Sequence, residues 1–184
     1  MSHSAMTDWG LQQLTVAKNA SVLDVGCGGG RTVGKLAALA PEGRVVGLDY
    51  SAASVAVARD TNAEAIKAGR VAIEQGSVAA LPFPDGTFDI VTAVETHYYW
   101  PDLAASVREV FRVTKPGGTF ALIAETYRGG PLVWLYTPVM ALLRAAFLTD
   151  AEHRDLLSQA GFSGVSTEHV KGKNWICAIG RRPL

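Results

Sequence analysis

Cysteine, net charge and long apolar runs are all scarce in this sequence. Its two cysteines, Cys27 and Cys177, stand far apart and form no metal-ligand spacing, so no metal site is expected. Reduced thiols in a cytoplasmic protein are the reading that follows. Seventeen basic residues balance seventeen acidic ones, and without a basic excess no nucleic-acid partner is expected. The most apolar region, residues 131–148, is interrupted by Thr137, Pro138 and Arg144. It is too short and too broken to span a membrane, so no membrane partner is expected either. The start of the chain is polar and lacks the basic-then-apolar order of a signal peptide. What remains is an ordinary globular balance, 48% hydrophobic and 18% charged over 184 residues. That fills one core and falls short of two, so a single domain over 1–184 is expected.

The most informative stretch is 22–32, Val-Leu-Asp-Val-Gly-Cys-Gly-Gly-Gly-Arg-Thr. An apolar run carries Asp24, breaks into glycines and gives way at once to a helical pattern. Strand, tight turn and helix N-terminus is how α/β proteins bring backbone close to a ligand. Around it the chain alternates short apolar strands with helical segments. Helices are expected over 11–17, 31–40, from Ser51 to about Lys67, from Pro101 to about Val113, and from a Thr149 cap with Glu152 three residues on. Strands are expected over 21–25, 45–48, 71–75, 88–94 and 119–124, the last entered by a sharp turn at Lys115-Pro116-Gly117-Gly118. Two closing strands, near 165–170 and 174–179, read as a hairpin across Lys171-Gly172-Lys173. The expected fold is α/β, a doubly wound, mostly parallel seven-stranded sheet with a C-terminal antiparallel hairpin at its edge.

In such sheets the ligand lies at the carboxyl ends of the strands. Gly26 and Gly28 let backbone approach it without side-chain interference. A dinucleotide fingerprint would want a small residue where Arg31 stands. Asp24 beside the turn disfavours a pyrophosphate and suits a cationic or amine-bearing ligand. Asp49 ends the second strand, roughly 20 residues on, where an acid can accept bonds from two ribose hydroxyls. The plainer alternative is an acid capping the helix that starts near Ser51.

Together with Gly47-Leu48-Asp49-Tyr50-Ser51, Gly76-Ser77 ahead of Leu81-Pro82-Phe83-Pro84-Asp85, Phe88-Asp89 and the turn at Lys115, this run resembles the class I S-adenosylmethionine-dependent methyltransferases, in particular their small-molecule branch. The resemblance implies a Rossmann-like methyltransferase fold and S-adenosylmethionine as cofactor, with no metal and no covalent nucleophile. It implies that Asp24, Gly26, Cys27 and Gly28 hold the methionine part, Asp49 the ribose, and Tyr50 one face of the adenine. Ser77 and Val78 would lie at the adenine edge, and the backbone at Glu95 would approach the methionine amine. Ser77 departs from the family, which often places an acid there; a neutral hydroxyl is the weaker acceptor. Cys27 also reads as a small side chain packed in a crowded turn, and Cys177 as core.

The acceptor side is set by the run Glu95-Thr96-His97-Tyr98-Tyr99-Trp100. His97 is the candidate general base for a hydroxyl or thiol acceptor, with pocket lining as the plainer role. Tyr98, Tyr99, Tyr127 and Trp134 are candidate acceptor-lining residues. The segment 129–148 holds more apolar side chains than a crossover helix needs. It reads either as a lid that forms an apolar acceptor site or a homodimer surface, or as an ordinary core-facing helix pair. Residues 7–10 are a further candidate cover for the cofactor. The expected activity is methyl transfer to a small molecule by in-line displacement, driven by positioning and desolvation. A non-catalytic S-adenosylmethionine-binding sensor or partner subunit is the alternative. A nicotinamide oxidoreductase is opposed by Arg31 and Asp24.

Overall fold

Short runs of Val, Leu and Ile with both faces apolar make the central strands, and they pair in parallel because helices cover the sheet on each side. The computed structural model describes residues 3–131, 133–143 and 145–184, so Met1, Ser2, Leu132 and Arg144 lie outside the described residues. In chain order the elements are α1 (His3–Gln12), β1 (Ser21–Val25), α2 (Arg31–Leu39), β2 (Arg44–Asp49), α3 (Ala52–Thr61), α4 (Ala63–Lys67) and β3 (Val71–Gln75). Then follow β4 (Phe88–Val94), a single 3-10 turn (His97–Tyr99), α5 (Leu103–Val113), β5 (Thr114–Ala124), α6 (Val133–Leu142), α7 (Asp150–Gln159), β6 (Ser163–His169) and β7 (Ile176–Arg181).

The sheet runs β3-β2-β1-β4-β5-β7-β6, seven strands as expected. All pairs from β3 to β5 are parallel, and β7 pairs antiparallel with both β5 and β6. The chain leaves β1 toward β2 on one side and returns through β4 on the other, which opens a crevice at their carboxyl ends. Alternate residues feed two cores. Leu23, Leu48, Val91, Phe120 and Leu122 pack with Val107 and Val110 of α5 and Leu157 of α7. Val22, Val45, Ile90, Ile123 and Cys177 pack with Val33 and Leu36 of α2 and Met6 and Leu11 near the start. Those two layers are the doubly wound arrangement.

Several boundaries depart from the sequence expectation. The first helix is α1, ending at Gln12 rather than occupying 11–17. Gly10 lets it lie on the sheet: a Cβ there would come within 2.5 Å of Ile123. Trp9 packs on Trp175, ring centroids 6.0 Å apart, so this segment covers a sheet face. The long helix from Ser51 divides at Asn62, whose side-chain amide turns away to donate to Gly30 O (3.0 Å) and Ala58 O (2.9 Å). Strand β5 begins earlier, at Thr114. Its register with β4 jumps from Phe88↔Thr114 to Ile90↔Thr119, so Lys115–Gly118 bulges out of the ladder instead of preceding it. Lys115 uses that bulge to reach Asp89 (2.9 Å), which also accepts from Ser21 N (2.8 Å) and Ser21 Oγ (2.6 Å). Burial works against the Asp89 carboxylate, but the Ser21 and Lys115 contacts win and hold its pKa below the ordinary value. The hairpin forms, yet it enters the sheet through β7, leaving β6 as the outer strand. The capping box of α7 is present in both directions between Thr149 and Glu152.

Candidate functional site

The glycine turn after β1 is hooked onto β2: Gly26 N and Cys27 N both donate to Leu48 O, at 2.7 and 3.0 Å. Gly26 (φ 75°) has to be glycine, because a Cβ there would lie 2.0 Å from Thr96 Oγ1 at the end of β4. Nothing within 4 Å would meet a Cβ at Gly28, so backbone is open to approach there. Asp49 holds this turn in place. Its Oδ2 accepts from Gly28 N at 2.8 Å and its Oδ1 from Ser51 N at 2.9 Å. Ser51 itself caps α3 through Ser54 N. Asp49 is therefore a clamp between the turn and the start of the next loop.

A cavity of about 520 Å³ opens at this switch point, within the range of small-molecule sites. Gly26, Asp49, Tyr50, Ser77, Val78, Glu95 and Tyr99, all singled out from sequence, line it. So do Thr96 and Trp100, within the run read as the acceptor side, and Val25, Leu48, Gly76 and Pro101, to which sequence reasoning assigned no role in the site. The available signal for Pro101 was its place directly after the aromatic run. Tyr50 is 78% exposed and stands open at the mouth. Ser77 Oγ accepts from Ala79 N at 3.2 Å, so part of its acceptor capacity is spent inside its own turn.

Glu95 is the one non-glycine residue with positive φ (59°) among the described residues. That left-handed backbone at the end of β4 turns the chain sharply beside the cavity, a strained conformation of the kind concentrated at functional sites. Its side chain is fixed by the next strand: Oε1 accepts from Glu125 N and from Tyr98 OH, the latter at 3.2 Å. The Tyr98 hydroxyl also accepts from Thr126 N at 3.3 Å, so Tyr98 is a buried strut joining the ends of β4 and β5. Burial and the nearby Glu95 charge push its pKa up.

The remaining expected residues lie off the cavity lining. Asp24 is 1% exposed beneath the turn, and Thr92 Oγ1 donates to its Oδ1 at 2.7 Å. Burial pushes its pKa up to about 7, the Thr92 bond opposes this, and the Asp49 charge adds to it. Burial likewise takes the Cys27 thiol up to about 12, with Asp24 and Asp49 adding, so it stays protonated and packs against the Gly47 backbone. Gly28 presents backbone to Asp49. Tyr127 stacks on His169, centroids 4.8 Å apart. Trp134 points outward from α6, 71% exposed.

His97, the candidate base, is fully buried and sits against Tyr98 and His153, at centroid distances of 4.2 and 5.5 Å. Neither of its ring nitrogens has a hydrogen-bond partner among the described residues. Burial, and next His153, hold it well below the ordinary histidine value. The ring is a neutral packing element behind the cavity wall, because the 3-10 turn swings Tyr99 toward the cavity and His97 into the core. Helix α6, in the middle of the apolar segment, has a core-facing side and an exposed apolar side. Met140 is buried and Tyr136 half-buried against the core, while Leu135, Val139, Leu142 and Leu143 are at least half exposed. Tyr136 feels burial first, then the Glu125 and Glu95 charges, and all three raise its pKa; it packs against the core cluster that includes Val78, Tyr98 and Trp100.

A family model described as a methyltransferase domain matches residues 23–122. A demethylmenaquinone methyltransferase of Lactiplantibacillus plantarum is 34% identical over 143 residues, covering 74% of this chain and 60% of that protein. The chloroplastic 2-methyl-6-phytyl-1,4-hydroquinone methyltransferase 2 of Oryza sativa subsp. japonica is 32% identical over 164 residues, covering 89% of this chain and 44% of that one. This chain thus spans less than two thirds of the length of either relative. Among solved structures, the complex between the Haloferax volcanii Trm112 methyltransferase activator and a methyltransferase matches with TM-score 0.87 and 21% identity, over 99% of this chain and 91% of that one. At that identity the match shows the fold.

Proposed function

The chain belongs to the methyltransferase-domain family, as a class I S-adenosylmethionine-dependent methyltransferase, and from that premise we propose that it methylates a small aromatic or hydroquinone-like acceptor with an apolar body. The observation that carries the reading is the cavity bounded on one side by the glycine turn and Asp49 and on the other by the Glu95–Pro101 bend. The residues present fit the cofactor: a glycine turn whose Gly26 lines the cavity, an acid at the end of β2, and an aromatic ring, Tyr50, at the mouth. S-adenosylmethionine, when bound, supplies an electrophilic methyl group on a sulfonium.

The chain's own contribution is position and dryness. Gly26 and the Asp49 clamp fix one wall, and the bend from Glu95 through Tyr99, Trp100 and Pro101 forms the other. Orientation of two reactants in such a frame is worth up to about 7–11 kcal/mol. Trp100 is nearly buried and donates to Thr96 Oγ1 at 3.3 Å, which stiffens that wall and keeps water out. His97, neutral and buried, takes no part as a base in this reading. The acceptor class is supported by α6, uncharged, mostly apolar and packed through Tyr136 on the cluster that holds the cavity-lining Val78 and Trp100, and by the names of the two relatives.

Thermal denaturation with S-adenosylhomocysteine, S-adenosylmethionine or NADH tests the cofactor. Ligand at 100 times its Kd should add about 2.7 kcal/mol, a rise of several degrees at roughly 2–4 °C per kcal/mol. A response to NADH alone overturns the reading. Formation of S-adenosylhomocysteine with a prenylated naphthohydroquinone, kept reduced, tests the acceptor. Turnover only with polar, unprenylated acceptors would overturn that class.

A further inference from the structure

We propose that the outward face of α6 seats on a lipid bilayer surface, so that the acceptor end of the cavity opens where an apolar-tailed acceptor is dissolved. From Gly129 to Leu143 the chain carries no charged residue. At 100° per residue, Trp134, Leu135, Pro138, Val139, Leu142 and Leu143 fall within about half the helix circumference. All six are exposed, Trp134 at 71% and Leu142 at 83%. The opposite face, Val133, Tyr136 and Met140, is half-buried or buried. The helix thus has an inner side, Tyr136 and Met140, packed in the cluster that holds the cavity-lining Val78 and Trp100, and an outer side that no part of the described chain covers.

Size and charge decide the occupant. The outer face exposes on the order of 500 Å², the size of the largest apolar patch of a typical monomer and of the kind that is often functional, yet short of the roughly 800 Å² per partner that a stable dimer buries. The face also carries no charged group to fix the register of a protein partner. A bilayer asks for neither. It accepts a short apolar helix lying in its interface with a tryptophan at the headgroup level, as Trp134 stands at the start of α6. No helix among the described residues is long and apolar enough to cross a membrane, so the contact is a surface seat. The chain as a whole is formally neutral, so attachment should come from apolar insertion and not from attraction to anionic lipid. The proposal rests on the acceptor class above only for its purpose; the contact itself is independent of turnover.

Co-sedimentation of the whole protein with phosphatidylcholine vesicles, with and without phosphatidylglycerol, at low and high salt, tests it. Binding to both compositions, undiminished by salt, is expected. Trp134→Ser with Leu142→Ser, both at exposed positions, should lower the bound fraction about ten-fold or more, with thermal midpoint and S-adenosylhomocysteine response unchanged. In the unaltered protein, brominated lipid should quench tryptophan emission, because the other three tryptophans are buried or half-buried. No vesicle binding, binding only to anionic vesicles and lost in salt, or binding indifferent to the double substitution would each overturn the proposal. So would a dimer in light scattering that the double substitution dissolves. Vesicle binding without a response to S-adenosylhomocysteine would instead count against the cofactor reading and leave this one standing.

Discussion

Asp49→Ala should do two things at once, since its carboxylate lines the cavity and also holds Gly28 N and Ser51 N. The thermal response to S-adenosylhomocysteine should vanish, and the unliganded protein should lose roughly 1–3 kcal/mol, the cost of leaving such groups unsatisfied. Asp49→Asn keeps one acceptor oxygen and should recover part of the stability without the ligand response. A full response in either variant would show that the acid does not hold the ribose. Ser77→Asp should act in the opposite sense. An aspartate can still accept from Ala79 N while adding a charged acceptor at the cavity, so S-adenosylhomocysteine should bind about five-fold tighter by calorimetry. The types of these residues, and the strand ends they occupy, were legible in the sequence. The direction each side chain faces was not: Tyr98 and Tyr99 are neighbours, yet one is a buried strut and the other lines the cavity, because a 3-10 turn rotates successive side chains by about 120°.

At the level of elements, patterned apolar runs located every strand, and local chemistry located α7, whose cap depends only on residues three apart. What pattern missed were features fixed by distant partners. Asn62 ends α3 because its amide satisfies the Gly30 carbonyl, 32 positions away in the chain, where a Cβ would crowd that same amide. Asn62→Ala should remove two side-chain bonds, to Gly30 O and Ala58 O, and leave the buried Gly30 carbonyl with only its bond from Gly34 N (3.2 Å). It should cost about 1–3 kcal/mol in denaturant unfolding, and slacken the turn enough to weaken S-adenosylhomocysteine binding. If stability falls while affinity is unchanged, the turn keeps its shape without this tie. The bulge at 115–118 escaped for the same reason. Lys-Pro-Gly-Gly reads locally as a turn, and only pairing with β4 on both sides of it reveals a strand that has already begun.

Asp24 and the neighbouring buried pair His97 and His153 should shape the stability of the whole molecule against pH, and the acid and the histidines pull in opposite directions. Asp24 has its pKa raised from 3.8 to about 7, so the folded state holds its proton where the unfolded chain releases it. Stability from this group is full below about pH 4 and is lost as pH rises through 7, a difference of roughly 4 kcal/mol. His97 and His153 are depressed by burial; Asp150, Glu152 and His169 face His153, and His153 faces His97. Their contribution is present above about pH 6.5 and is lost as pH falls below it. Between about pH 4.5 and 6.5 the Asp24 slope offsets only part of the slope from the two histidines, so the thermal midpoint of the parent should fall more gently with pH than theirs alone would make it. Asp24→Asn keeps an oxygen for the Thr92 hydroxyl but removes the titration. Its midpoint should exceed the parent's at pH 8 and fall steadily as pH drops below 6.5. His97→Leu should invert that profile, gaining relative to the parent as pH falls from 7 to 5 whatever its absolute stability. Because the readout is the slope of each variant against the parent, general destabilisation cannot imitate it. Two profiles parallel to the parent's would mean that neither buried group titrates between its folded and unfolded forms.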